Sequence, residues 1–417
     1  LTPRTRERVL GPAPEQGAYS ADVRNFSLVG VVWDNPGTEL RGRVQVRTRS
    51  AATGHWSGWQ DVDTHNADHG ADPDTAEAAS GRVHGATAPL WVGDSNGVDV
   101  RVRAEAEAEP EAQAAPEPEA DDDFGPRGTG TGTGPGVGRD LLPAGLRLEL
   151  VDPGAESPPQ GPPANDPRAD TEPDTAAAVN AGLVSFGATE IPALSREDTE
   201  RELRELSGAD APLAKPYIGP RPRIVTRHGW GADESLREKG FVYTGKIKAA
   251  FVHHTASGNG YRCSQAPSVI RSIYRYHVVS MGWRDIGYNF LVDKCGTIYE
   301  GRAGGVAKAV RGAHTLGFNN HSMGIAVIGT FGSHKPPAAA LTGIARLTAW
   351  KLGLFGANPK GKTYLKSGGG NLYPKGKNVR LNVISGHRDG YATDCPGTKL
   401  YAKLGSARTS SAHLQGR

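Results

Sequence analysis

Two domains of different class are predicted: an N-terminal all-β, sandwich-like domain and a C-terminal α/β domain with a mixed β-sheet flanked by helices. Three observations carry this. The chain has 417 residues, too many for one domain at roughly 150 residues each. Its formal net charge of +3 conceals a split, because residues 216–417 hold 29 Lys and Arg against 8 Asp and Glu, a net of +21, while residues 1–215 carry a net of −18. The hydrophobic pattern also changes, from period-two runs in the first half to mixed strand and helix signals in the second. The 56 glycines and 30 prolines imply linker-like tracts around the folded parts. No run approaches the ~18 apolar residues of a helical membrane span, which excludes that class. The chain opens at Leu1 without a methionine or apolar signal region, as a mature or trimmed product would.

Residues 1–17 read as a polar tail and 18–154 as the β-rich domain. Ser27–Trp33 and the alternating runs Val44–Thr48 and Val98–Val102 predict strands, separated by turn signals at Asp34-Asn35-Pro36-Gly37 and Asp94-Ser95-Asn96-Gly97. Residues 104–123 hold nine acidic and no basic residues, and 124–139 repeat Gly-Thr and Gly-Pro. Such composition buries too little apolar surface to offset ordering entropy, so 104–139 is expected to be a disordered insertion. Leu146–Val151 alternates again and closes the domain. Trp33, Trp56, Trp59 and Trp91 fit core and turn packing better than a sugar-stacking platform.

Residues 155–215 read as a linker, within which Ser195 caps a short helix reaching Leu206. The α/β domain is expected over 216–408, followed by a tail at 409–417. Ala249–His254 suits a buried strand and Gln265–Ser280 a helix, with Val269, Ile270, Ile273, Tyr274 and His277 on one face. His277 there reads as a core residue. Strands follow at Tyr288–Val292, Thr297–Tyr299, Met323–Ile328 and Asn382–Ser385. A helix follows the Pro336-Pro337 pair over Ala338–Leu354, and 356–380 reads as a protruding basic hairpin.

The chain has three cysteines, Cys263, Cys295 and Cys395. In an exported protein an odd count leaves one pair and one thiol with another task. A Cys263–Cys295 disulfide would staple the predicted helix to the following strand. Cys395 lies eight positions after His387 across a glycine-containing loop, so both side chains can turn toward one point. Thiolate and imidazole suit zinc. The nearest third ligand is one of His253 and His254, which alternation along a strand sends to opposite faces.

Phe251-Val252-His253-His254-Thr255, Gly282-Trp283-Arg284-Asp285-Ile286-Gly287-Tyr288-Asn289-Phe290, Gly312-Ala313-His314-Thr315 and Gly386-His387-Arg388 with Cys395-Pro396-Gly397 occur in this order. Together they resemble the peptidoglycan recognition proteins and type 2 (zinc) N-acetylmuramoyl-L-alanine amidases. Arg223-Ile224-Val225 and Gly229-Trp230-Gly231-Ala232 match the usual start of that domain, and the resemblance covers about residues 222–405. It implies a zinc amidase fold with Zn2+ held by His253, His387 and Cys395. Non-catalytic relatives commonly lack the cysteine ligand. The resemblance makes Tyr288 a catalytic hydrogen-bond donor. Thr393 falls where phage enzymes carry lysine and many recognition-protein amidases carry threonine, which leaves the proton shuttle open. His314 matches a substrate-groove position, with a structural histidine as the other reading, and His254 joins it as an expected substrate contact.

The activity so implied is hydrolysis, by a zinc-activated water, of the amide joining N-acetylmuramic acid to L-alanine. The alternatives are a non-catalytic peptidoglycan-binding module and a zinc peptidase acting within the stem peptide. The expected partners are bacterial peptidoglycan and other anionic wall polymers, which the basic half would attract. Nucleic acid is not expected, because the basic residues form no recognised nucleic-acid motif. The expected state is a secreted, wall-associated monomer in an oxidising compartment.

Overall fold

A computed structural model describes residues 2–4, 15–64, 66–105, 142–154, 176–183, 187–207 and 216–417. The proposed disordered insertion at 104–139 and the linker at 155–175 lie almost entirely outside the described residues.

The N-terminal half is antiparallel. The long strand Leu90–Ala104 pairs with Glu15–Ser20, with Phe26–Trp33 and with Gly42–Ser50, while Arg147–Val151 adds to the far edge of Phe26–Trp33. Glu15–Ser20 extends the sheet into what composition alone assigned to a polar tail; Glu15, Gln16 and Gly17 pair with Arg103, Val102 and Arg101, so 1–17 is corrected at its C-terminal end. Every residue of Phe26–Trp33 is buried. Val29, Val31 and Trp33 face the domain's own core with Val44, Val46, Val98 and Val100. Leu28 and Val32 face the other way, onto Ala266, Val269 and Ile273 of the second domain. A strand buried on both faces cannot alternate, which is why Ser27–Trp33 reads as one apolar run.

In the second half a seven-stranded mixed sheet runs Ile384–Gly386, Ala249–His254, Ser322–Val327, Phe290–Val292, Ile298–Glu300, Ile224–Val225, Glu190–Ile191. The first four are mutually parallel. Helix Ala266–Arg275 covers one face, and Ala338–Gly353 with Leu404–Gln415 covers the other. Lys362–Lys366 and Asn378–Asn382 form the expected basic hairpin.

Two boundaries are corrected. The linker reading fails over 190–207, because Glu190–Ile191 is an edge strand paired with Ile224–Val225 and helix Arg196–Ser207 docks on the domain. Arg196 donates to the Gln415 carbonyl at 2.8 Å and Thr199 accepts from Arg221 N at 2.9 Å. Ser195 caps this helix as expected, accepting from Asp198 N at 3.1 Å. The proposed tail at 409–417 is instead the body of helix Leu404–Gln415, where Ser411 accepts from Thr348 at 3.0 Å. Among the described residues no helix is long and apolar enough to cross a membrane.

The halves meet on a largely apolar face. Tyr276 reaches across it to donate to the Thr87 carbonyl at 3.0 Å. A Cβ at Gly30 would sit 2.3 Å from the Tyr276 hydroxyl, so close approach demands glycine there. Glu77 reaches over to Arg302 with a bidentate contact at 2.8 and 2.9 Å, both groups buried.

The disulfide joins Cys263 and Cys295 across 32 residues, stapling the start of helix Ala266–Arg275 to the turn between two strands. Replacing both cysteines by alanine should destabilise the C-terminal domain by about 3–4 kcal/mol through restored loop entropy. Chemical denaturation of the two proteins measures the difference; an unshifted midpoint would mean the staple restrains nothing.

Candidate metal centre

His253 comes near the end of Ala249–His254, where alternation sends Phe251 and His253 to one face and Val252 and His254 to the other. The neighbouring parallel strand aligns Gly386 with Val252, so His387, the next residue, emerges beside His253. The two ring centroids are 4.5 Å apart. Gly386 permits this turn, since a Cβ there would lie 2.6 Å from the Tyr401 ring. The loop then folds back. Arg388 N donates to the Cys395 carbonyl and Cys395 N to Thr393 Oγ1, each at 3.1 Å. This brings Cys395 Sγ to 3.8 Å from His253 Nδ1.

The N-terminal domain supplies a fourth group. His69, on the loop after Asp63, places its ring 4.6 Å from His387 and 5.3 Å from His253. One ligand atom each from His69, His253, His387 and Cys395 lie within 4.8 Å of one another. His69 Nε2 and His387 Nδ1 are buried with no hydrogen-bond partner. Orphaned nitrogens of this kind are costly, and a shared cation would satisfy both. Zinc bonds of 2.0–2.3 Å put tetrahedral donors roughly 3.3–3.8 Å apart, so a contraction of about 1 Å completes the fit.

The remaining ring nitrogens are engaged, as orientation of metal ligands requires. His253 Nε2 lies 3.3 Å from His314 Nδ1 and 3.4 Å from Thr315 Oγ1. His69 Nδ1 donates to the Asp68 carboxylate at 2.8 Å, and His387 Nε2 donates to the Asp68 carbonyl at 3.2 Å. Burial pushes His253 well below the usual histidine range and His387 down to about 3, so both are neutral and ready to ligate. Burial also pushes the Cys395 thiol up; a divalent cation reverses that preference. Burial alone would raise Asp68, but the His69 and His387 imidazoles pull it below the ordinary carboxylate range.

Tyr288 lies against this cluster, its ring 5.5 Å from His253 and 5.7 Å from His69. Burial raises its phenol well above 10, leaving it an O–H donor. Thr393 shapes the Cys395 turn and helps keep Asp68 ionised. His314 and His254, expected as substrate contacts, are both buried and held by partners within the protein. His314 is fully buried behind His253. His254 points to the opposite face, where its Nδ1 accepts from Phe331 N at 3.2 Å. His277 is a core residue, as expected, accepting from Gly287 N at 3.2 Å and packing on Trp283.

Sequence reasoning missed His69. An adjacent Asp-His pair in a Gly- and Asp-rich loop was the one local signal, and nothing in its spacing reports a partner more than 180 residues away.

With the geometry in hand, comparison with known proteins defines the class. A family described as N-acetylmuramoyl-L-alanine amidase matches residues 243–398, and one described as Rv3811 N-terminal galactose-binding domain-like matches residues 4–120. The architecture is therefore a galactose-binding-like β domain joined to an amidase-type domain. Peptidoglycan-recognition protein SC1a of Drosophila melanogaster is 30% identical over 193 residues, 46% of this chain and 89% of that protein. Peptidoglycan-recognition protein 1 of Holotrichia diomphalia is 30% identical over 203 residues, 48% of this chain and 86% of that protein. The solved structure of wild-type Drosophila PGRP-LB is 28% identical, with a TM-score of 0.35 over 44% of this chain and 92% of that one. The chain belongs to the peptidoglycan recognition protein family.

The purified protein should hold about one zinc per chain. Cys395→Ser should weaken zinc binding by roughly 100-fold or more in chelator competition, with far-UV circular dichroism unchanged. Equal affinity in the variant would remove Cys395 from the ligand set.

Proposed function

We propose that this protein hydrolyses the amide between N-acetylmuramic acid and L-alanine in bacterial peptidoglycan, using zinc held by His253, His387 and Cys395. The observation that supports it best is the convergence of Cys395 with both histidines at one buried point beside Tyr288. A module that only binds has no need of a metal-ligating thiolate there.

Zinc at that point supplies Lewis acidity, activating a nucleophile near neutral pH and polarising the scissile carbonyl. The protein's own groups do the rest. His314 and Thr315 hold the His253 ring through its Nε2. Tyr288 Oη donates to the carbonyl oxygen as negative charge builds on it, a contribution of about 3 kcal/mol when aligned. Thr393, beside Cys395, orients the attacking water or the departing amine. The basic hairpin and the surrounding Lys and Arg draw in anionic wall polymer. The disulfide fits a secreted protein working outside the cell.

Mass spectrometry of digested muropeptides tests the reading, with the intact chain and its His69→Ala form run in parallel. An amidase releases the whole stem peptide with a free L-alanine amino terminus. A peptidase would leave L-alanine on the sugar, and a binding module would release nothing from either protein. In the His69→Ala form, a further Tyr288→Phe should retain zinc while kcat falls roughly 100-fold; unchanged kcat would take Tyr288 out of the reaction.

A further inference from the structure

The ligand set described above draws on both domains. His253, His387 and Cys395 belong to the amidase-type domain, whereas His69 arrives from the β domain on a loop that is itself bolted down. Asp68 carbonyl accepts from Leu316 N at 3.1 Å. Asp72 Oδ1 accepts from Gly317 N and from Asn319 Nδ2, both at 2.8 Å, and the Gly70 carbonyl takes a further bond from Asn319 Nδ2 at 2.8 Å. Beyond it, Asp74 pairs with Lys375 at 2.6 Å and Glu77 with Arg302. The loop thus lies along the 314–319 edge of the site and ends with an unpaired imidazole nitrogen aimed at the other three donors.

Three protein ligands with one open corner define a catalytic zinc centre, and four define a closed one. We infer that His69 fills the fourth corner, so that the intact chain holds a closed His3Cys centre and is latent until the β-domain loop withdraws. Burial agrees with this. His253 and His387 are 0% exposed, Cys395 4% and Tyr288 5%, so no polymeric substrate reaches them in this arrangement. The Asp68 carboxylate strengthens the plug by orienting His69 through Nδ1 while its backbone carbonyl holds His387. One residue, Asp68, therefore aligns both the foreign ligand and a native one.

The inference rests on the metal reading of the site, and deepens the proposed activity without depending on it for its test. The test replaces zinc by cobalt(II), whose visible absorption reports coordination, and adds azide as a small anion that binds only an open corner. The cobalt protein with the full chain should show an intense four-coordinate band that azide leaves unmoved. His69→Ala should open the corner, so that azide shifts the band, and turnover of soluble muropeptides should rise about 10-fold or more. Asp72→Ala alters no ligand but unbolts the loop, and should let azide in as well. An intact protein whose band responds to azide as readily as that of His69→Ala overturns the closed centre. So does a His69→Ala protein with native circular dichroism and an unchanged, azide-insensitive band. If His69→Ala takes azide yet cleaves no muropeptide, the closed centre stands and the amidase reading falls.

Discussion

The buried meeting of imidazoles and one thiol is the constraint around which the molecule is arranged. Neutral histidines packed together in the interior leave lone-pair ring nitrogens of His69 and His387 without partners, an arrangement that is costly unless a cation gathers them. Much of the local structure serves that convergence. Parallel pairing aligns Val252 with Gly386, which brings His253 and His387 side by side. The bare Gly386 lets the Tyr401 ring close over the turn. The 387–395 loop is pinned at both ends by backbone bonds, and His314 stands behind His253 as a buried prop.

The second organising feature is the face between the domains. Phe26–Trp33 serves two cores at once, with Val29 and Val31 on one side and Leu28 and Val32 on the other. Such a strand ties the stability of the β domain to its docking, and the docking in turn sets where the His69 loop lies. The opposite charges of the halves meet at this contact in Glu77–Arg302 and Asp74–Lys375. The buried first pair is held by bidentate geometry that offsets its desolvation. The second is exposed and adds little. The electrostatic split thus has a local structural use at the contact between the domains.

Most of the elements were legible because their signals are local. Ala249–His254 is a strand in the structure as in the sequence pattern, and Ala338–Gly353 begins after its proline pair. The helix predicted over Gln265–Ser280 appears as Ala266–Arg275 followed by a wider turn at Tyr276–Ser280. The errors fell where periodicity is weak. Glu190–Ile191 is a two-residue strand in a proline-rich stretch, and Leu404–Gln415 is rich in serine and alanine. Each is held by partners far along the chain, such as Ile224–Val225 or Thr348, that no window around it contains.

The sequence by itself determined the two-domain division, the class of each half and the cysteine pair, and it singled out His253, His387 and Cys395, which the structure brings together. Strand alternation and turn chemistry are written in neighbouring residues, whereas the choice of His253 over His254 came from the family resemblance, since alternation leaves either one open. Tertiary structure alone decided that His314 is buried behind His253 and His254 turned to the opposite face, and that His69 joins the cluster from the other domain. Those outcomes depend on which faces are pressed together across long loops, and the free energy of that docking is spread over Leu28, Val32, Tyr276, Glu77 and Asp72, not encoded at the positions it brings together.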